Sequence, residues 1–161
     1  MRNRQKGFSL IELLIVVAII LIIAAIAIPN LIRSRMAANE ASAVASIRTI
    51  NTAEVVYSTT YTVATLFSAK LQDLGDAAGT CATVAPIATN ACLIDNVLAT
   101  SVAAPGKSGY HFTYTVGNGY TITADADQQG SSGVRSFFAD QTLVIRAKSP
   151  GPGATVADNP L

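Results

Sequence analysis

Few side chains in this sequence can do chemistry, and their spacing narrows what that chemistry is. Glu12 is an acid inside an otherwise apolar stretch, Cys81 and Cys92 are the two thiols, and His111 is the one imidazole. Asp125 and Asp127 alternate just before a glycine-bearing loop, with Asp140 further on. One histidine and two cysteines argue against a metalloenzyme, and no phosphate loop, zinc spacing or nucleophile motif occurs. His111 falls on the polar face of a predicted strand with no carboxylate or cysteine at a motif spacing, so it reads as a solvated histidine. Calcium takes roughly six to eight oxygens. The three aspartates supply too few, which leaves solvated turn acids as the default and a calcium loop as the alternative. No catalytic residue, metal or cofactor is expected.

Glu12 is the informative acid. A carboxylate within a transmembrane segment costs on the order of 2.5–3.5 kcal/mol at the helix centre and less near an end. In the plain reading it lies one turn inside the membrane face, half solvated. In the sharper reading another chain supplies a positive charge to meet it.

The elements that would place Glu12 are legible around it. Arg2, Arg4 and Lys6 form a basic leader with no acid, and Leu13 to Ile28 is an unbroken apolar run. A spanning helix needs about 20 mostly apolar residues, so Ser9 to Ile32 suffices. The basic leader would stay cytoplasmic, with the remainder outside the cytoplasm. A cleaved secretory signal, with Ala25 and Ala27 as an A-x-A-like site, is the competing reading. The length of the run and Glu12 within it count against that alternative. Composition agrees with a membrane segment: half of the 161 residues are apolar and only 13% are charged, against roughly 25% in average globular chains. Such a chain is too apolar for disorder along its whole length. A net charge of +1 argues against a dedicated nucleic-acid binder.

Arg4-Gln5-Lys6-Gly7-Phe8-Ser9-Leu10-Ile11-Glu12-Leu13-Leu14-Ile15-Val16-Val17-Ala18-Ile19-Ile20, closing at Ala25-Ile26-Ala27-Ile28-Pro29, resembles the N-terminal signature of type IV pilins and type II secretion pseudopilins. The resemblance implies cleavage by a prepilin peptidase between Gly7 and Phe8 and N-methylation of the new Phe8 amine. It further implies filament packing through the helix, with Glu12 meeting the Phe8 ammonium of a neighbouring subunit. It also implies a pilin fold, with the second half of a long N-terminal helix packed on an antiparallel sheet. Pro29 matches the family's closing proline and removes the amide that would bond to Ala25, marking an expected helix kink. Leu21 stands where the family commonly has glycine, which leaves the extent of helix unwinding between Leu21 and Pro29 open.

Beyond Leu31 the alanine-rich chain predicts continued helix to about Tyr57, roughly 75 Å from Ser9. Met36, Ala43, Ile47, Ile50 and Tyr57 make an apolar stripe, interrupted by Glu40 and Glu54. Arg33, Arg35, Glu40 and Arg48 are expected on solvated faces or between subunits. Aromatic side chains along the helix are limited to Phe8, Tyr57 and Tyr61, too few for a stacked path. Leu66 to Leu74 reads as a short helix ending at Gly75, Asp76 to Asn90 as loop, and Leu93 to Leu98 as another short helix. In an exported domain Cys81 and Cys92 most simply form one disulfide, with two buried thiols as the alternative; the spacing excludes a C-x-x-C redox pair.

Period-two alternation predicts strands at Tyr110 to Val116 and Tyr120 to Ala124 across Gly117-Asn118-Gly119. A second hairpin is predicted from Val134 to Ala139 and Leu143 to Ala147. The expected fold is therefore α+β, a long helix on a four-stranded antiparallel sheet. Ser149 to Leu161 reads as a surface loop or a disordered end. Glu40-Ala41-Ser42-Ala43 and Arg135-Ser136-Phe137-Phe138 carry a wider likeness to bacterial pilin-like proteins.

The expected organisation is a leader at 1–7, a transmembrane and filament-core segment at 8–32, and an amphipathic helix half plus globular domain at 33–161. The leading function is a structural subunit of a type IV pilus, a homopolymer serving adhesion, motility or DNA uptake. It would sit in the inner membrane before assembly and on the cell surface after it. Its expected partners are prepilin peptidase, the assembly machinery and the membrane. A type II secretion pseudopilin and a monomeric membrane-anchored binding protein are the alternatives.

Overall fold

The computed structural model describes residues 8–61, 66–76 and 79–161. It divides into two compact units, Met1–Arg35 and Met36–Leu161. Helix α1 spans Leu10–Thr60, 51 residues, and stays helical through Leu21 and Pro29. It runs three residues past the predicted end at Tyr57, because the Ser58, Thr59 and Thr60 hydroxyls donate back to the carbonyls of Val55 and Val56 at 2.9 Å. Those bonds satisfy the polar side chains without leaving the helix.

Within the second unit, Ala43, Ile47, Ile50, Ala53 and Tyr57 of α1 enter one hydrophobic core with the inward faces of an antiparallel sheet. The sheet is a simple meander of β1 (Tyr110–Val116), β2 (Tyr120–Ala126), β3 (Ser136–Asp140), β4 (Arg146–Lys148) and β5 (Asn159–Pro160). The β1–β2 register pairs Tyr110 with Ala126 and Val116 with Tyr120, which places the hairpin where the alternation predicts it. Strict alternation along β2 buries Tyr120, Ile122, Ala124 and Ala126 against the helix.

Four sequence expectations are corrected here. The sheet has five strands rather than four, because the C-terminal segment is ordered: Asn159 and Pro160 pair with Ala147 and Arg146, and the Leu161 amide donates to the Ile145 carbonyl at 3.0 Å. The strand predicted at Leu143 to Ala147 begins only at Arg146. Asp140 Oδ1 accepts the Thr142 amide at 2.9 Å and Leu143 takes φ +64°, so the connection keeps turn geometry for longer. The Leu66 to Leu74 helix contracts to a 3₁₀ turn over Leu71–Leu74, and the one expected at Leu93 to Leu98 lies at Asn96–Thr100 (α2). Asp95 sets the start of α2 by accepting the Leu98 amide at 2.9 Å, as an N-cap does.

Candidate functional site

In the first unit the apolar part of α1 is left uncovered among the described residues. Over its most apolar stretch α1 has a mean hydropathy of 3.3 and none of that stretch is buried, and by length and composition it is long enough to cross a membrane. Phe8, at its start, is 82% exposed. The order Ser9-Leu10-Ile11-Glu12 is a capping-box sequence, and the Ser9 amide donates to Glu12 Oε2 at 2.9 Å. The carboxylate is thereby held at the helix start, satisfying a donor that helix geometry leaves unpaired. Gly7 and the basic leader lie outside the described residues, so of the expected cleavage pair only Phe8 is placed.

The family model described as the prokaryotic N-terminal methylation motif matches residues 2–28. A second comparison finds 65% identity over 40 residues with the type IV wide pilus major component PilA4 of Thermus thermophilus. Over its N-terminal segment this chain is similar to type IV pilins. The type IV major pilin protein PilA of Myxococcus xanthus is similar as well, 49% identical over 51 residues. These matches cover 25% and 32% of this chain, and only 30% and 23% of the relatives' own lengths. No solved structure matches it significantly.

In the second unit the expected disulfide is present: Cys81 and Cys92 are bonded, with Cα atoms 5.8 Å apart. The loop between them is held at its neck, where Asp76 Oδ1 accepts the Cys81 amide at 3.1 Å and the Asn90 side chain donates to Thr80 Oγ1 at 2.8 Å. Tyr57 reaches from α1 to the Ala88 carbonyl at 2.9 Å, so the loop is fixed from the helix too.

The polar groups read as solvated prove to be structural. His111 is not alone on a wet strand face: its Nδ1 lies 2.9 Å from Asp127 Oδ1, and both side chains are mostly covered. Asp127 Oδ2 accepts the Gly106 amide at 2.9 Å, while Asp125 Oδ1 accepts the Gly153 amide at 2.7 Å. The two acids thus serve different loops, and Asp140 caps its own turn. Among the described residues no three His, Cys, Asp or Glu side chains gather as a metal site.

Glu40, expected on a solvated face or between subunits, is instead buried within its own chain. Its Oε1 accepts the amides of Val134 at 3.0 Å and Arg135 at 3.1 Å, and its Oε2 takes Arg135 Nε at 2.8 Å. Burial pushes the Glu40 carboxyl up, but these donors and the guanidinium charge outweigh burial and hold it below its usual value. The two short runs noted for their likeness, at Glu40 and at Arg135, are therefore brought together in space. Glu54, with no exposed surface, accepts from Ser68 Oγ at 2.5 Å, from the Ser68 amide at 3.2 Å and from Tyr114 Oη at 2.5 Å. Burial raises its carboxyl above the usual range, the hydrogen bonds opposing that only in part. Burial likewise raises the Tyr114 hydroxyl. Sequence periodicity contained a signal for both acids: each falls at a core-facing step of α1, where an acid persists only with a partner.

Proposed function

We propose that this chain is a structural subunit of a type IV pilus. The supporting observation is the conjunction of the methylation motif over residues 2–28 with a helix whose most apolar stretch has none of its surface buried among the described residues. Burying such a face is worth about 25 cal/mol per Å², and both a bilayer and a bundle of identical helices supply that burial. On this reading a prepilin peptidase cleaves between Gly7 and Phe8, the Phe8 amine is N-methylated, and the subunit waits in the inner membrane. The globular unit then lies outside the cytoplasm. The assembly machinery next transfers it into a homopolymer at the cell surface, where it does no catalysis.

Cleavage removes Arg2, Arg4 and Lys6 and creates an ammonium at Phe8, one helical turn from Glu12. Within one chain Glu12 is occupied by the Ser9 amide. Between staggered chains, the carboxylate of a resident subunit attracts the amine of an incoming one. Attraction in a low-dielectric surrounding is strong, but desolvation offsets much of it, so the pair sets register and recruitment more than stability. Pro29 is the point where the helix can loosen on packing, since it donates no backbone hydrogen bond.

N-terminal mass spectrometry tests the reading on protein recovered from membranes and from sheared surface material. The expected result is a chain starting at methylated Phe8 in both fractions. An intact leader on surface protein would refute it. Processed protein that is scarce and absent from the sheared fraction would point to a pseudopilin instead.

A further inference from the structure

We infer that Arg33 and Arg35 form a collar for anionic lipid headgroups at the outward face of the membrane, setting the depth of the unassembled subunit. This rests on the membrane-inserted reading above and adds to it a lipid chemistry and two residues. Arg33 directly follows the last apolar residues of the membrane segment, Leu31 and Ile32, Arg35 lies two residues further on, and both are exposed on α1. Their helical neighbours at three and four residues, Pro29, Asn30, Leu31, Ile32, Met36, Ala37, Ala38 and Asn39, carry no charge. The ion pairs among the described residues are Lys107 with Asp95, His111 with Asp127 and Arg135 with Glu40. The nearest acid along the helix, Glu40, is therefore already taken, and among the described residues neither arginine forms an ion pair.

Position around the helix favours a lipid surface over one protein neighbour. Residues two apart lie roughly 200° apart on an α-helix, so the two guanidinium groups leave on nearly opposite sides. A single docked chain would meet one of them, whereas a headgroup layer surrounds the helix and meets both. Arginine presents a planar fork that suits phosphate oxygens, and its long stem lets the charge reach the interface from a helix end. Leu10 to Ile32 rises roughly 34 Å against a hydrocarbon core of about 30 Å. That excess lets the helix slide or tilt unless its end is pinned. Leader removal also takes away the three basic residues at the other end, which leaves Arg33 and Arg35 as the first basic side chains of the mature helix.

The sequence has no tryptophan, so Ile22→Trp provides a single depth reporter in the processed chain beginning at Phe8. It is reconstituted in phosphatidylcholine vesicles with or without phosphatidylglycerol, and depth is read by quenching with brominated acyl chains. In vesicles containing phosphatidylglycerol, adding Arg33→Gln and Arg35→Gln is expected to shift the reporter by about 3–5 Å, within the slack of the helix. Arg33→Lys with Arg35→Lys should restore most of the original depth, and the shift should shrink without phosphatidylglycerol. An unchanged depth, or an equal shift in both lipids, overturns the collar. Failure of the reporter protein to float with vesicles at all would instead overturn the membrane reading on which the collar rests.

Discussion

The two units solve opposite problems with the same helix type. In the first, residue after residue of α1 is apolar and exposed, and the polar groups are few. In the second, α1 puts two carboxylates, Glu40 and Glu54, into buried positions and surrounds each with donors. The first unit leaves its apolar surface to be covered by something else, while the second completes its own core and satisfies its own acids. The contrast teaches that the role of an acid on α1 depends on its surroundings: Glu40 and Glu54 already have fixed partners from distant strands and loops, and Glu12 has only a local amide.

The largest expected effect comes from removing the charge that the first unit leaves available. Glu12→Gln preserves the side-chain shape and can still accept the Ser9 amide, so membrane levels and leader cleavage should stay normal. Filament counts by electron microscopy should fall to few or none. Normal filament yield beside an equal membrane pool would break the distinction drawn for Glu12, and loss of the membrane pool would mean that the residue serves stability.

Packing supplies the next test. Ile47 is fully buried between helix and sheet, and Ile47→Ala should destabilise the second unit by roughly 2–5 kcal/mol. Denaturant unfolding of the detergent-solubilised full chain would measure this. Leu21→Ala, on the unpartnered stretch, should leave that unfolding transition in place. Comparable losses from both substitutions would show that the units are not independent in stability.

Removing the disulfide should cost somewhat less. Cys81→Ser with Cys92→Ser is expected to lower stability by about 2–3 kcal/mol in the chain-entropy view. Non-reducing mass mapping of exported protein should show the single link, and two free thiols there would contradict it.

The smallest effect sharpens the comparison within the second unit, because its two buried acids titrate in opposite senses. Glu40 is held below its ordinary value of 4.5, so its contribution is present above that pH and fades as pH falls through its lower folded value. Glu54 is raised above 4.5, so its contribution is complete below that pH and is lost as pH rises through its folded value. Glu40→Gln should therefore weaken the unit most at neutral pH, and Glu54→Gln should flatten the decline in stability from acid towards neutral. Unfolding curves across this range would read both, and a common direction would be evidence against the assigned environments.

Much of the fold was legible because it depends on local periodicity. Tyr110 to Ala124 alternates about the Gly117-Asn118-Gly119 turn and forms the expected hairpin, which continues to Ala126, and the alanine-rich stretch after Leu31 is helical. What escaped depends on pairs far apart in the chain. Nothing near Glu40 announces that Arg135 will reach it, and nothing near His111 announces Asp127 across the β1–β2 hairpin. The tail escaped for a similar reason: Gly151 and Gly153 allow sharp turns, and two residues of pairing with β4 leave no period to detect. Around the candidate site, the motif carried Glu12 and Phe8 into view, but Glu12's bond to the Ser9 amide needed the helix start to be placed.

Pro160 gives the C-terminal strand a further consequence. The outermost strand is two residues long and contains a residue with no amide hydrogen, so that border offers another chain little to hydrogen-bond to. At the opposite border, part of β1 is already engaged, the Phe112 amide donating to the Ser101 carbonyl at 2.7 Å. Crowded side by side, such domains resist merging their sheets into a continuous ribbon of the amyloid kind. Truncating the last three residues would uncover β4 and remove that safeguard, so a shortened C-terminus should show itself as aggregation before it shows any defect in the helix.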